Sequence, residues 1–411
     1  MPDRIFVGFG FGAIQAGLFL FEAYYSRNFK RLVVAEVMDD VVAAVRQSGG
    51  KYRVNVAMPD GIEPHEIKGV EIFNPKAAGD RKALIQAIAE ATEIATALPS
   101  VKFYGAGQEG DVADILGRGL KQKIENKSLP AAVIYTGENH NHAAEIMDEA
   151  LARAAGVKGN GRFQSLNTVI GKMSGVVTDP RQMQQQKLTC VVNGMNRAFL
   201  VEAFNRILIT RIALPDFKRG ITVFEEKPDL LPFEEAKLYG HNATHALIGY
   251  LLRLRGAEFM AEAQKNKDLM ELARDAFLIE SGKALCRKYA GLDPLFTDKG
   301  YQAYVDDLLK RMMNPHLRDS VERITRDPRR KLGWDDRLVG TMRLALSRDI
   351  TPTRYAMGAA AAVRVLAVEE RKPQDQLLDE IWCDSRAARA DVALIRRLIV
   401  EAGEALGRFE K

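Results

Sequence analysis

Near the start of the chain, the apolar run "RIFVGF" (4–9) passes without a polar break into "GFGFGAIQAG" (8–17), which carries Gly8, Gly10, Gly12 and Gly17. A strand that ends among so many residues without a Cβ and then takes on helical periodicity has few options. The backbone must turn sharply, and another group must come close to it. In a strand, turn and helix of this kind, the first helical N–H groups are unbonded and carry the positive end of the helix dipole. The turn therefore suits an anion such as a pyrophosphate.

Two overlapping frames of the dinucleotide fingerprint fit the stretch, and neither has glycine in the third place: Ala13 fills it in one, Gln15 in the other. A second apolar run, "RLVVAEV" (31–37), brings Glu36 to the point where a carboxylate accepts hydrogen bonds from the adenosine ribose. The expected cofactor-binding residues are Gly8, Gly10, Gly12, Ala13, Ile14 and Glu36. A carboxylate there repels a 2′-phosphate, so the expected cofactor is NAD rather than NADP. The plainer alternative is a glycine-rich turn that only packs a helix against a strand.

The rest of the chain divides by rhythm. "YRVNVAM", "SVKFYGAG" and "AAVIYTG" read as further strands alternating with helical stretches, whereas "HALIGYLLRLRG", "DLMELARDAFLIESGKALCRKYAG" and "GYQAYVDDLLKRMM" read as long helices. The polar stretch "TDPRQMQQQKL" is the connector. The predicted fold is an α/β N-terminal Rossmann-type dinucleotide-binding domain over 1–194, followed by a mainly α-helical C-terminal substrate and catalytic domain over 195–411. A length of 411 residues with 47% hydrophobic content supports two cores. A net charge of +5 from 59 basic and 54 acidic residues is no nucleic-acid footprint. Three scattered cysteines imply a reducing, cytoplasmic setting, and no apolar run is long enough for a membrane span. A monomer or small homo-oligomer is expected.

In "AKLYGHNATHALIGY" (236–250), an α-helical period places Lys237, His241, Asn242 and His245 within an arc of roughly 140°. That pattern fits a solvated face or a satisfied core histidine as well as one shared cavity. Four of the six histidines lie in "HNH" (140–142) and "HNATH" (241–245). No carboxylate inside the second strip completes a zincin-type helix, so no metal is expected.

The spacing of Lys237, Asn242 and His245 resembles the signature of the polyol-specific long-chain dehydrogenases. "VVAEV" and "TGENH" are similar to that family's second strand and cleft segment, and "NPHLRDSVERITRDPRRKLGWDDRLVG" (314–340) resembles its C-terminal signature. The resemblance implies an NAD-dependent enzyme that interconverts a sugar alcohol and a ketose without a metal. Its leading pair is mannitol 1-phosphate and fructose 6-phosphate. Lys237 is then the general base, with a pKa lowered toward about 7 to 8. Asn242 and Asn139 donate to the developing alkoxide, worth about 2 to 4 kcal/mol each by analogy with oxyanion holes. His245 orients the oxygen or the lysine. Arg323 and Lys331 bind polyol oxygens, and Arg326, Arg329 and Arg330 add charge nearby, with the cation that would meet a phosphate left open.

One departure touches the substrate. In "LNTVIGKMSGV" (166–176), Gly171 and Lys172 replace an Asp-Arg pair of the family, and Asn167 is the nearest residue to take over the lost acceptor. The alternatives are a dehydrogenase of an unphosphorylated polyol or sugar acid, an NAD-binding sensor without turnover, and a metal-dependent enzyme built on the histidine strips.

Overall fold

Strand β1 (Ile5–Phe9) sends Phe6 into one apolar core and Ile5, Val7 and Phe9 into another. A strand buried on both faces has no solvent side, so its sequence is continuously apolar rather than alternating. The computed structural model, which describes residues 4–105, 107–159, 161–383 and 388–407, extends this pattern into a wound sheet. The other strands are β2 (Arg31–Ala35), β3 (Tyr52–Ala57), β4 (Ile62–Ile67), β5 (Val70–Phe73), β6 (Glu93–Thr96), β7 (Ala132–Thr136), β8 (Phe163–Val169), β9 (Ser174–Val177), β10 (Ala198–Glu202), β11 (Leu208–Thr210) and β12 (Glu225–Lys227).

The larger sheet has the order β12-β11-β8-β7-β6-β1-β2-β5, parallel from β8 to β5, with β11 antiparallel to β8. Helices Ala78–Glu90, Val112–Glu125 and Ala143–Ala155 supply Leu84, Ile88, Leu116 and Met147 to the core on one face. The core on the other face takes Tyr52, Val54, Phe199 and Val201 from a second sheet of order β4-β3-β10-β9.

The chain separates into two compact units, Met1–Leu230 and Leu231–Lys411. The division falls later than the expected 194/195 boundary. Strands β10, β11 and β12 lie beyond residue 195 yet pair with β3, β9 and β8, so they belong to the first unit. Another expected strand, "SVKFYGAG", forms a 3-10 turn over Val101–Tyr104 that Ser100 begins by accepting from Lys102 N; Ala106 lies outside the described residues.

Among its described residues the second unit contains helices and turns and no strand. The helix Thr353–Glu370 forms its centre, with Ala359, Ala360, Ala361 and Ala362 all buried. Small side chains bring neighbouring backbones close: a Cβ at Gly358 would stand 2.7 Å from Leu247 Cδ1. No helix among the described residues is long and apolar enough to cross a membrane.

Candidate active site

In the first unit, β1 continues toward β2 and β5 on one side while β6, β7 and β8 extend the sheet on the other. The loops after β1 and β6 thus part at their carboxyl ends, the switch point where wound sheets hold ligands. Gly10 takes φ +82° there, its N–H bonds Ala35 O at 2.9 Å, and a Cβ on it would stand 2.9 Å from Ala97 O. At Gly12 the same construction meets nothing within 4 Å, so this side of the turn is open to a bulky group. The helix begins at Ala13 and Ile14 and passes into a π turn at Gln15–Phe19. An open glycine turn leading into a helix N-terminus fits a dinucleotide pyrophosphate.

Two predicted cofactor residues take on further duties. A Cβ at Gly8 would collide with the carboxamide of Gln15, so Gly8 makes room inside the protein rather than at the ligand face. Glu36 is buried, and its carboxylate accepts from Phe11 N at 2.9 Å, Val37 N at 2.7 Å and Met38 N at 2.9 Å. The acid expected at the ribose also clamps the glycine turn to the end of β2.

Asn139 is exposed just past the carboxyl end of β7. Its neighbour Glu138 is buried and accepts from Leu98 N at 2.9 Å, from Thr96 Oγ1 at 2.8 Å and from the Tyr104 hydroxyl. Burial raises the Glu138 carboxyl, and these donors offset part of the rise. Glu138 therefore ties the loops after β6 and β7 together and sets the base from which Asn139 projects. Asn167 is otherwise engaged: its Oδ1 accepts from Ala144 N at 2.8 Å and its Nδ2 donates to Glu145 at 2.9 Å, capping the helix Ala143–Ala155. Lys172 is buried, and its ammonium donates to the carbonyls of Glu202 and Phe204 and to Asn205. It pins β10 and the loop that follows, which is a structural use of a lysine.

In the second unit, one continuous helix runs from Leu231 to Leu254, interrupted by a π turn over Ala236–Asn242. A π turn bonds residue i to i+5, so the fifth residue rather than the fourth returns to the starting face. Lys237 and Asn242, the far ends of the arc on an α-helical period, are thereby drawn toward one face. Gly240 permits the turn to pack closely, since a Cβ there would meet Phe277 at 2.6 Å and the Tyr301 hydroxyl at 2.7 Å.

Lys237 is partly buried, and among the described residues no carboxylate forms an ion pair with it. Burial first, and then the Arg337 charge, lower its pKa to about 8, with Glu234 opposing. His241 is buried and held well below its ordinary range by burial, then by His245, Arg311, Lys237 and Arg337, so it stays neutral. Asn242 is half-buried. His245 is buried, and its Nε2 lies 3.2 Å from Asp319 Oδ2, an approach too bent to be a well-formed hydrogen bond.

The signature at 314–340 folds into the short helices Val321–Thr325 and Pro328–Lys331 and the segment after them. Arg323 donates from Nε to Asp319 Oδ1 at 2.8 Å, and its Nη2 pairs with the same oxygen at 2.6 Å. Lys331 is buried and donates to the Arg326 carbonyl; burial, then Arg337 and Arg330, lower its pKa to about 8. Arg329 is spent on Glu370 and Glu380, and Arg330 on Asp327 and Asp336. Arg326 is exposed.

Arg337 and Asp319 escaped the motif-based reading. Arg337 bonds Asp336 through Nε at 2.8 Å, and its charge is felt by Lys237, His241 and Lys331. Its signal was its place inside "GWDDRLVG". That of Asp319 was the i, i+4 spacing to Arg323. Among the described residues no group of three or more His, Cys, Asp and Glu is arranged to hold a metal ion.

Comparison with known proteins agrees with both units. Residues 229–399 match the family model for the mannitol dehydrogenase C-terminal domain. A mannitol-1-phosphate 5-dehydrogenase of Exiguobacterium sibiricum is 30% identical over 331 residues, covering 80% of this chain and 77% of that protein. In fold, the chain resembles a D-sorbitol dehydrogenase crystallised without substrate, with TM-score 0.74 and 13% identity over 98% of this chain and 95% of the other. It also resembles the Pseudomonas fluorescens mannitol 2-dehydrogenase in ternary complex with NAD and D-mannitol, with TM-score 0.71 and 15% identity over 100% of this chain and 94% of the other. With a relative this similar over most of both chains, the protein belongs to the mannitol dehydrogenase family.

Proposed function

We propose that the chain interconverts a sugar alcohol and its ketose, most specifically mannitol 1-phosphate and fructose 6-phosphate, with Lys237 as the general base. The observation that carries this reading is the state of Lys237: an amine that forms no carboxylate ion pair among the described residues, lowered to about 8 and set on a π turn with Asn242. NAD, when bound at the glycine turn, supplies the hydride acceptor. In the oxidation, neutral Lys237 Nζ takes the proton of the substrate hydroxyl. The Asn242 carboxamide donates to the oxygen as its negative charge grows, and it does not titrate near neutral pH. His245 orients the same oxygen. In the reverse direction the Lys237 ammonium returns the proton.

Two features support a phosphorylated substrate: the name of the Exiguobacterium relative, and the cation Arg337, whose charge acts on Lys237 and on Lys331 alike. A guanidinium presents a planar fork that matches phosphate oxygens. The test is the rate of NADH consumption with fructose 6-phosphate, fructose and a hexuronate, with added inorganic phosphate as competitor. The reading expects turnover with fructose 6-phosphate above the other two and inhibition by phosphate. Preference for free fructose or the hexuronate removes the phosphate assignment, and no turnover with any of the three overturns the enzyme reading.

A further inference from the structure

The helix Ala243–Leu254 and the short helix Val321–Thr325 lie in direct contact because Gly249 lacks a side chain: a Cβ there would stand 2.7 Å from Ile324 Cγ2. Tyr250 donates to Thr325 O at 3.0 Å and Arg253 to Thr325 Oγ1 at 3.0 Å, so the contact continues along the helix. One turn before Gly249, this approach brings His245 to Asp319. The aspartate is fixed at its backbone. Its carbonyl accepts from Met260 N at 2.9 Å, and Val321 N, two residues on, bonds Glu258 O at 2.9 Å. Its carboxylate is buried and divided between two side chains, with Oδ2 3.2 Å from His245 Nε2 and Oδ1 2.6 Å from Arg323 Nη2.

We propose that Asp319 is a positioning residue of the substrate site, one carboxylate that sets the orientation of His245 and of Arg323 together. This rests on the dehydrogenase reading above, in which both side chains face the polyol. A carboxylate beside Nε2 favours the tautomer with its proton on that nitrogen, and that tautomer presents Nδ1 as an acceptor for a substrate hydroxyl. The bent approach of Nε2 fits a pair that tightens when substrate fills the site, since catalytic hydrogen bonds are often long or misaligned without ligand. Burial raises the Asp319 carboxyl, and its contacts with His245 and Arg323 outweigh that rise, holding the carboxyl below its ordinary value. Asp319 is therefore ionised at neutral pH and acts as an acceptor throughout.

The test is Asp319→Asn in the full chain, assayed with fructose 6-phosphate and NADH, together with nitrogen NMR of the histidine ring in the unaltered protein. The amide preserves shape but not charge. Expected are a fall of about 10-fold or more in kcat/KM for the sugar, an unchanged NADH Kd, and a smaller fall when the same change is made in a His245→Ala background. The ring should carry its proton on Nε2 in the unaltered protein, a measurement that needs no turnover and holds even if the variant folds poorly. A His245 ring protonated on Nδ1 overturns the proposal. So does an equal loss in the presence and absence of His245. Failure of the unaltered protein to turn over any of the sugars counts against the function, while the NMR result still decides the inference.

Discussion

At the residue scale the proposed chemistry depends on an amine, Lys237, whose charge burial disfavours. Lys237→Ala should lower kcat by about 100-fold or more, the range for loss of a general base, with NADH binding intact. Near-normal turnover would remove Lys237 from the mechanism. The sign of the pH dependence follows from its pKa of about 8. Alcohol oxidation needs the neutral amine, so its kcat should rise with pH and level off above about 8, while ketose reduction should fall over the same interval. The unfolded chain, at 10.5, binds more protons between about 8 and 10.5, so the Lys237 contribution to stability increases with pH across that window. Glu36 clamps the glycine turn, and whether it also meets the ribose can be tested. Glu36→Ser should lower the kcat/KM ratio of NAD over NADP and the melting temperature together, because Phe11, Val37 and Met38 lose their common acceptor. A lower melting temperature with unchanged selectivity would leave Glu36 as a clamp alone.

At the scale of elements, the site is built by irregular helix and close packing. The strip of Lys237, Asn242 and His245 was legible because its members are near neighbours in the chain. Its geometry was not. An α-helical period spreads Lys237 and Asn242 across the arc, and the π turn that draws them together is set by Gly240 packing on Phe277 and Tyr301, residues far along the chain. Gly249 has a comparable role between helices. Gly249→Ala should cost about 1–3 kcal/mol by overpacking against Ile324 and should reduce kcat/KM for the polyol while sparing the NADH Kd. Thermal melting, the kcat/KM and the NADH Kd separate these effects. If the variant keeps full kcat/KM, the spacing of the two helices is not what holds His245 beside Asp319.

For the whole molecule, the decisive question is where the first unit closes. A fragment ending at 194 lacks β10, the strand between β3 and β9, and also β11 and β12 at the edge of the larger sheet. It loses Phe199, Val201, Ile207, Ile209 and Phe224 from one core. We expect a fragment of residues 1–230 to melt cooperatively and to bind NADH, and a fragment of 1–194 to show neither property. Circular dichroism and NADH fluorescence would decide it; a cooperative transition in the shorter fragment would restore the earlier boundary.

The sequence by itself determined the features whose parts lie a few residues apart: the strand running into a glycine turn, the change from mixed to helical rhythm, and the lysine, asparagine and histidine of one helix. Side-chain direction and backbone freedom act over that range, so spacing is enough to read them. Only the tertiary structure decided that β10–β12 complete the first unit, that Asn167 caps a helix, that Lys172 pins a loop and that Asp319 meets His245. Each of these is a contact between residues brought together by chain topology, and no local period encodes which distant residue will arrive.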